Sequence, residues 1–317
     1  MGHAMNQSFL SRLPLSRFEV DRDYLARDRE NLFEELWADP TTRVLPIFQG
    51  SALMSSTSDS SAALALMPVA AIPDAELLVY LGRSTSTTSP EPAGTPIVAA
   101  LLTDAGHLAE SRWGSLRSVA TQLSNRDAGL FTEALGILNW HASHAFSPRT
   151  GEPTTVIKGG WVRKDPISNT EVFPRTDAAI IVGITDAADR LLLGSNALWE
   201  SNRYSLLAGF VEPGESLEAA VIREVFEESG VHVVDPVYLG SQPWPFPASL
   251  MLGFTARVDT ATDGAATPDG NEILDLRWFT RDELRDSLGE ILLPGPVSIA
   301  RAIIEEWFGG PIDDGQK

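Results

Sequence analysis

The chain has 317 residues, 43% of them hydrophobic, and its 24 Lys and Arg against 43 Asp and Glu leave a net charge of −19. That length suggests about two domains, and the balance excludes both wholesale disorder and a basic protein that coats nucleic acid by bulk charge. Cysteine is absent, which removes disulfides, thiol nucleophiles, iron–sulfur clusters and Cys-ligated zinc.

Residues 1–15 lack the basic-then-apolar pattern of a secretory leader, and no apolar run is long enough to span a membrane. A cytoplasmic protein is expected. Residues 28–38 read as a short helix. Residues 43–48, 63–69, 77–81 and 96–102 are apolar runs divided by Ser, Gly and Pro clusters, the pattern of strands. The polar stretches 51–62 and 84–96 read as mobile loops. Over 127–145, Leu130, Phe131, Ala134, Leu135, Leu138 and His141 recur at helical spacing. His141 and His144, at i and i+3, raise a metal pair against the plainer reading of helix-surface histidines. Residues 146–173 are rich in Gly, Pro and Thr, with little core. From Thr176 onward, strands (178–184, 191–193, 204–207, 232–239, 250–258) alternate with helices (216–229, 282–288, 296–307), so this half is α/β. The expected layout is a β-rich domain over 1–145 ending in a helix, a hairpin segment over 146–173 and an α/β domain over 174–317.

The most informative segment is 209–231. Ser216 can cap a helix and Gly230 can end it in the left-handed region. Leu217, Ala220, Val221 and Val225 give the buried face. Glu224, Glu227 and Glu228 stand at i, i+3 and i+4 and crowd one face, where like charges repel by about a few tenths of a kcal/mol per pair. Carboxylate oxygens gathered in this way suit a hard divalent cation; the alternative is a solvated acidic helix face. The whole string reads G-x5-E-x7-R-E-U-x-E-E-x-G-U, with U apolar, from Gly209 to Val231. It resembles the Nudix box, the signature of the Nudix hydrolases. The resemblance implies an α/β/α sandwich with a mixed sheet, acting on nucleoside diphosphates linked to a second moiety. Glu224 and Glu228 would hold Mg²⁺ or Mn²⁺, Glu227 would share the metal or activate water, and Arg223 would orient the carboxylates. The Ala208 carbonyl would add a ligand.

Downstream lies Ser241-Gln242-Pro243-Trp244-Pro245-Phe246-Pro247-Ala248-Ser249. Alternate prolines fix an extended path, and the two aromatics offer faces for a base or a nicotinamide. The alternative is a rigid surface loop whose aromatics fill the core. At this distance from the box, the string resembles the NADH pyrophosphatase subfamily. Its members split NAD(H) into nicotinamide mononucleotide and AMP, and similar bacterial enzymes remove NAD caps from RNA. The resemblance implies a homodimer and makes residues 242–249 a substrate surface, together with Phe173, Ile181, Phe210, Ala300 and the Arg117 of Trp113-Gly-Ser-Leu-Arg117. It makes Glu272 a fourth metal carboxylate. A Nudix hydrolase of ADP-ribose or another dinucleotide, or a catalytically dead nucleotide-binding module, are the other readings. No DNA or membrane partner is expected. Arg12, Arg17, Arg22, Arg27 and Arg29 are read as solvent-facing rather than as an RNA patch.

Family members carry a zinc ribbon, C-x2-C, fourteen residues, C-x2-C. The spacing survives here, but Ser147, Thr150, Asp165 and Ser168 stand at the four positions. Hydroxyls are poor zinc ligands, so no zinc is expected, and the segment is a degenerate ribbon. Packing by Phe146, Trp161 and Val162, with polar turn bonds, is expected to replace the metal.

Overall fold

The computed structural model describes residues 9–55, 62–262 and 265–315. Two units divide them: 15–176 with 244–248, and 177–243 and 249–317 with the described residues up to Pro14. In the first, β1 (Val20–Asp21), β2 (Arg43–Phe48), β3 (Ser51–Leu53), β4 (Met67–Pro68), β5 (Ala75–Ser84), β6 (Pro96–Leu102) and β7 (Trp113–Ser115) share a sheet. Its order is β1-β5-β6-β2-β3-β7, with β4 beside β2. β2 and β6 pair in parallel and are buried at nearly every position, which is why both read as unbroken apolar runs. A helix at Asn125–Ser143 follows, capped by the Ser124 hydroxyl, which accepts from Asp127 N at 3.1 Å.

Several sequence expectations change in this unit. The first helix shortens to Leu32–Ala38, after a 3-10 turn at Tyr24–Asp28. Ser51–Leu53 is a strand, not a loop. Gln49 and Gly50 have φ of 50° and 74°, and this two-residue turn sends the chain back along β2. Residues 56–61 of the expected loop lie outside the described residues. Residues 63–69 yield only β4, because Leu64 bridges Met54 and Val69 opens a 3-10 turn. The 84–96 connection is anchored: Ser86 is buried, and Glu91 pairs with the buried Arg126.

The degenerate ribbon keeps its hairpin. β8 (Thr155–Ile157), β9 (Val162–Lys164) and β10 (Glu171–Val172) pair antiparallel in the order β10-β9-β8. The four former ligand positions converge on one carboxylate. Ser147 Oγ and Thr150 Oγ1 donate to Asp165 Oδ2 at 2.6 and 2.7 Å, and the backbone N–H groups of Ile167 and Ser168 donate to Oδ1 at 2.8 and 3.1 Å. Asp165 is fully buried, and the Ser147 hydroxyl, then the other donors, hold its carboxyl well below the usual range. Trp161 packs as expected, its Nε1 donating to Tyr80 O at 2.8 Å, and Val162 is buried. Phe146 does not: it is 62% exposed. His141 is not a surface residue. It is buried, with Nε2 2.7 Å from Gly160 O and Nδ1 2.9 Å from Arg163, while His144 Nδ1 meets Ser143 Oγ and Trp140 O.

In the second unit, β11 (Asp177–Thr185), β12 (Leu191–Asn196), β13 (Leu207–Phe210), β14 (Val233–Trp244), β15 (Ser249–Val258) and β16 (Ile273–Phe279) form a mixed sheet. Its order is β14-β15-β11-β12-β16, with β13 beside β11 and β11 parallel to β15. Alternate residues of a strand face opposite sides. Accordingly Ile180, Val182 and Ile184 pack with Ala220, Val221 and Val225 of the helix Leu217–Ser229. Ile181 faces the other way, into a cluster with Ile299, Ile303 and Ile304 of the helix Ile299–Phe308. The result is the expected α/β/α sandwich, each fully buried Ile or Leu contributing about 1.5–3 kcal/mol. The strand expected over 204–207 lies later, at Leu207–Phe210, where it leads straight into the acidic helix.

Candidate active site

Helix Leu217–Ser229 is fixed at both ends. Ser216 Oγ accepts from Ala219 N at 3.2 Å, and Gly230, at φ 69°, closes the last turn onto Phe226 O at 2.8 Å. Burying Val221 and Val225 carries Glu228 inward with them, so that only 6% of it is exposed. Glu224, one turn earlier, lies against the chain at Gly209, where a Cβ would stand 2.0 Å from the Glu224 carboxylate carbon. A side chain at 209 would therefore displace the Glu224 carboxylate.

Burial pushes the Glu228 carboxyl up to about 8, helped by the negative charges of Glu272 and Glu224 and opposed by the Ala208 N–H. Glu224 is raised by burial too, against the pull of Arg223. Glu228 Oε2 has no hydrogen-bond partner among the described residues. Arg223 gathers the remaining carboxylates. It grips Glu215 with Nε and Nη2 at 2.6 and 2.8 Å, meets Glu224 at 3.0 Å and Glu227 at 2.9 Å, and donates to Phe210 O at 2.9 Å. Glu215 is held down at about 2 by that guanidinium. Among the described residues no three carboxylates or imidazoles stand as a ready-made ion cage; three of the glutamates are turned onto Arg223 instead. The donors nevertheless fit a hard divalent cation: a buried Glu228 facing the charges of Glu224 and Glu272, with one oxygen lacking a hydrogen-bond partner among the described residues. A cation placed there would oppose the repulsion that Glu228 meets from Glu224 and Glu272.

Two family descriptions match the chain, the NUDIX domain over 174–295 and the NADH pyrophosphatase-like rudimentary NUDIX domain over 41–140. Residues 174–295 are thus matched as a Nudix domain. Among curated relatives, the NAD-capped RNA hydrolase NudC of Mycobacterium bovis is 46% identical over 202 residues, 61% of this chain and 64% of that protein. The protein of the same name from Mycobacterium tuberculosis aligns to the same extent. The NAD-capped RNA hydrolase NUDT12 of Homo sapiens is 36% identical over 202 residues, 59% of this chain and 43% of that protein. The matched part thus spans 64% of the length of the mycobacterial relatives. A solved NUDIX hydrolase from Nitrosomonas europaea is 21% identical, covers 52% of this chain and 94% of that one, and has a TM-score of 0.41.

The other expected residues fall in different settings. In the first unit, Trp244 and Phe246 meet edge to face at 5.1 Å, and the Arg117 guanidinium lies over both rings, 4.7 and 3.9 Å from their centroids. Asn139 Nδ2 ties the string down through Pro245 O at 2.8 Å and Pro247 O at 3.4 Å. Pro245 is buried; Pro247 is exposed and Ala248 half-buried. Phe173 is largely exposed. In the second unit, Phe210 is largely exposed and Pro243 exposed, Ser249 opens β15, and Ile181 and Ala300 are buried in one apolar cluster. Gln242 is wholly buried, its Nε2 donating to Val297 O at 3.0 Å. The five arginines read as solvent-facing are each engaged: Arg12 with Glu306, Arg17 with Ala120 and Leu123 carbonyls, Arg22 with Glu133, Arg27 over Trp161, Arg29 with Glu35. Sequence reasoning missed Glu215 as the anchor of Arg223, although the motif contains it. It also missed Asp269, whose carboxylate accepts from the backbone N–H of Asn271, Glu272 and Ile273 at 3.3, 3.2 and 2.7 Å and so sets the turn that presents Glu272. An Asp three residues before a functional Glu was the available signal.

Proposed function

We propose that the chain is a metal-dependent NAD(H) diphosphatase, yielding nicotinamide mononucleotide and AMP, and that it also removes NAD caps from RNA. The observation that carries the reading is the buried Glu228, with an unpartnered oxygen and Glu224 and Glu272 as charged neighbours, within a matched Nudix domain. The names of its relatives support the substrate class. Glu224, Glu228, Glu272 and the Ala208 carbonyl would hold Mg²⁺ or Mn²⁺, with Glu227 joining them. The bound ion supplies charge neutralisation at the pyrophosphate and acidifies water. Glu227, more solvent-exposed than Glu224 and Glu228, takes the proton from the attacking water. Arg223, which contacts Glu215, Glu224 and Glu227 together, orients these carboxylates and offsets their mutual repulsion. Trp244 and Phe246 would stack on a ring of the substrate, with Arg117 beside them; Phe173 and Phe210, both largely exposed, are further candidate contacts, while Gln242, Ile181 and Ala300 lie buried and would act only as support. We assign the protein to the cytoplasm as a homodimer, with domains at 1–145, 146–173 and 174–317. Among the described residues no helix is long and apolar enough to cross a membrane.

The test incubates the protein with NADH, with Mg²⁺ or Mn²⁺ and with EDTA, and separates the products by chromatography. Metal-dependent AMP and reduced nicotinamide mononucleotide are expected. Glu228→Gln should lose orders of magnitude in turnover while nucleotide affinity changes less. Cleavage of ADP-ribose in preference to NADH would redirect the substrate, and binding without cleavage would leave a nucleotide-binding module.

A further inference from the structure

Glu272 stands immediately before β16, remote in sequence from the acidic helix, and its backbone is well held. Its N–H donates to Asp269 Oδ2 at 3.2 Å and its carbonyl accepts from Ala197 N at 2.8 Å. The carboxylate is another matter. A free glutamate side chain samples many rotamers, and ordering it costs on the order of 1 kcal/mol or more. One side chain addresses it: Asn196 Nδ2 donates to Glu272 Oε1 at 3.2 Å.

Three features make that contact specific. First, the β12–β16 ladder breaks at this point. Ser195 faces Asp275 but Asn196 faces Ile273, so Leu274 has no partner across the ladder and is pushed outward. A bulge of this kind re-aims side chains. Second, both ends of the Asn196 amide are used. Oδ1 accepts from Leu198 N at 2.9 Å while Nδ2 faces Glu272. A flipped amide would set oxygen against carboxylate and NH₂ against N–H, so the orientation follows from the network. Third, Asn196 is neutral. A Lys or Arg here would neutralise the carboxylate that a cation needs, and Asp would repel it.

We propose that Asn196 is a positioning residue that aims the Glu272 carboxylate at the ion shared with Glu224 and Glu228. This rests on the metal-site reading above. Asn196 does not touch the ion; it selects the Glu272 rotamer that does. Partners of this type change metal affinity by about 10–100-fold when removed.

The experiment measures Mn²⁺ binding, with the ion alone, by electron paramagnetic resonance on the full chain. Asn196→Ser retains a hydroxyl that can accept the Leu198 N–H but cannot reach Glu272; Asn196→Ala removes both bonds. Both should bind Mn²⁺ about 10-fold more weakly than wild type, with the metal-free thermal unfolding of Asn196→Ser unchanged. The Mn²⁺ concentration for half-maximal NADH turnover should rise equally, and kcat at saturating Mn²⁺ should recover. In a Glu272→Ala background, Asn196→Ser should have no further effect, since its action passes through Glu272. Wild-type Mn²⁺ affinity in Asn196→Ser, or an undiminished effect without Glu272, overturns the positioning role and leaves the metal site standing. A wild-type protein that binds no Mn²⁺ overturns the metal site, and the positioning role with it.

Discussion

A hydrogen at the Gly209 α-carbon, where other residues carry a side chain, decides where Glu224 can rest. Gly209→Ala places a methyl inside the Glu224 carboxylate. The side chain must swing away, so Mn²⁺ binding should be lost, while folding stability falls by only about 1–3 kcal/mol; urea unfolding beside a Mn²⁺ titration separates the two. Glu133 gives a pH prediction. It is buried on the helix Asn125–Ser143, 3.1 Å from Arg22, with neither oxygen properly hydrogen-bonded among the described residues. Burial, opposed by Arg22 and Arg27, raises it from 4.5 to about 7. An acid raised on folding binds more protons folded than unfolded across that interval. Its contribution is therefore present below about 4.5 and is lost as pH rises through about 7. Glu133→Gln should flatten the thermal stability profile over that window and gain on the order of 1–3 kcal/mol above it; an unchanged profile would show Glu133 to be ionised throughout. At this scale the sequence was legible where spacing itself carries the chemistry, as with Glu224, Glu227 and Glu228 on one helical turn. Asn196 was not legible, because it meets Glu272 only through strand pairing and a bulge.

Among the elements, the ribbon shows most clearly what a pattern reveals and what it conceals. The preserved spacing of Ser147, Thr150, Asp165 and Ser168 foretold a hairpin. It did not foretell that one of the four would become the hub for the other three, since residue types alone do not choose hydrogen-bond partners. Asp165→Ala leaves two hydroxyls and two N–H groups without their acceptor. A fall of several degrees in Tm is expected, and Asp165→Asn should recover only part of it. Because folding lowers the Asp165 pKa, its contribution is present above the ordinary value of 3.8 and fades as pH drops below it. The β11 strand was legible as an apolar run over 178–184, and the structure buries it on both faces. β3 was hidden, because Gln-Gly is a weaker hairpin signal than Asn-Gly and the three residues after it are too few to show a period.

For the molecule as a whole, the net charge of −19 acts on any anionic substrate. NADH is small and carries little charge, whereas a capped RNA carries one per nucleotide. Raising the salt from about 20 to about 200 mM shortens the screening length to below about 10 Å. On the proposed function, kcat/KM for capped RNA should therefore rise relative to that for NADH; a fall would point to a basic RNA track. The β-rich amino-terminal part was legible only as strands, and its likeness to a rudimentary NUDIX domain over 41–140 emerged from comparison alone, because a sheet without the acidic helix carries no chemical signature. The Asp165 hub, finally, sets the conditions under which this chain can work. With no thiol in its sequence, the ribbon segment offers peroxide nothing to oxidise and gives a chelator no thiolate-held zinc to strip. Zinc starvation and oxidative stress, which would unravel a cysteine-built ribbon, should leave this segment folded.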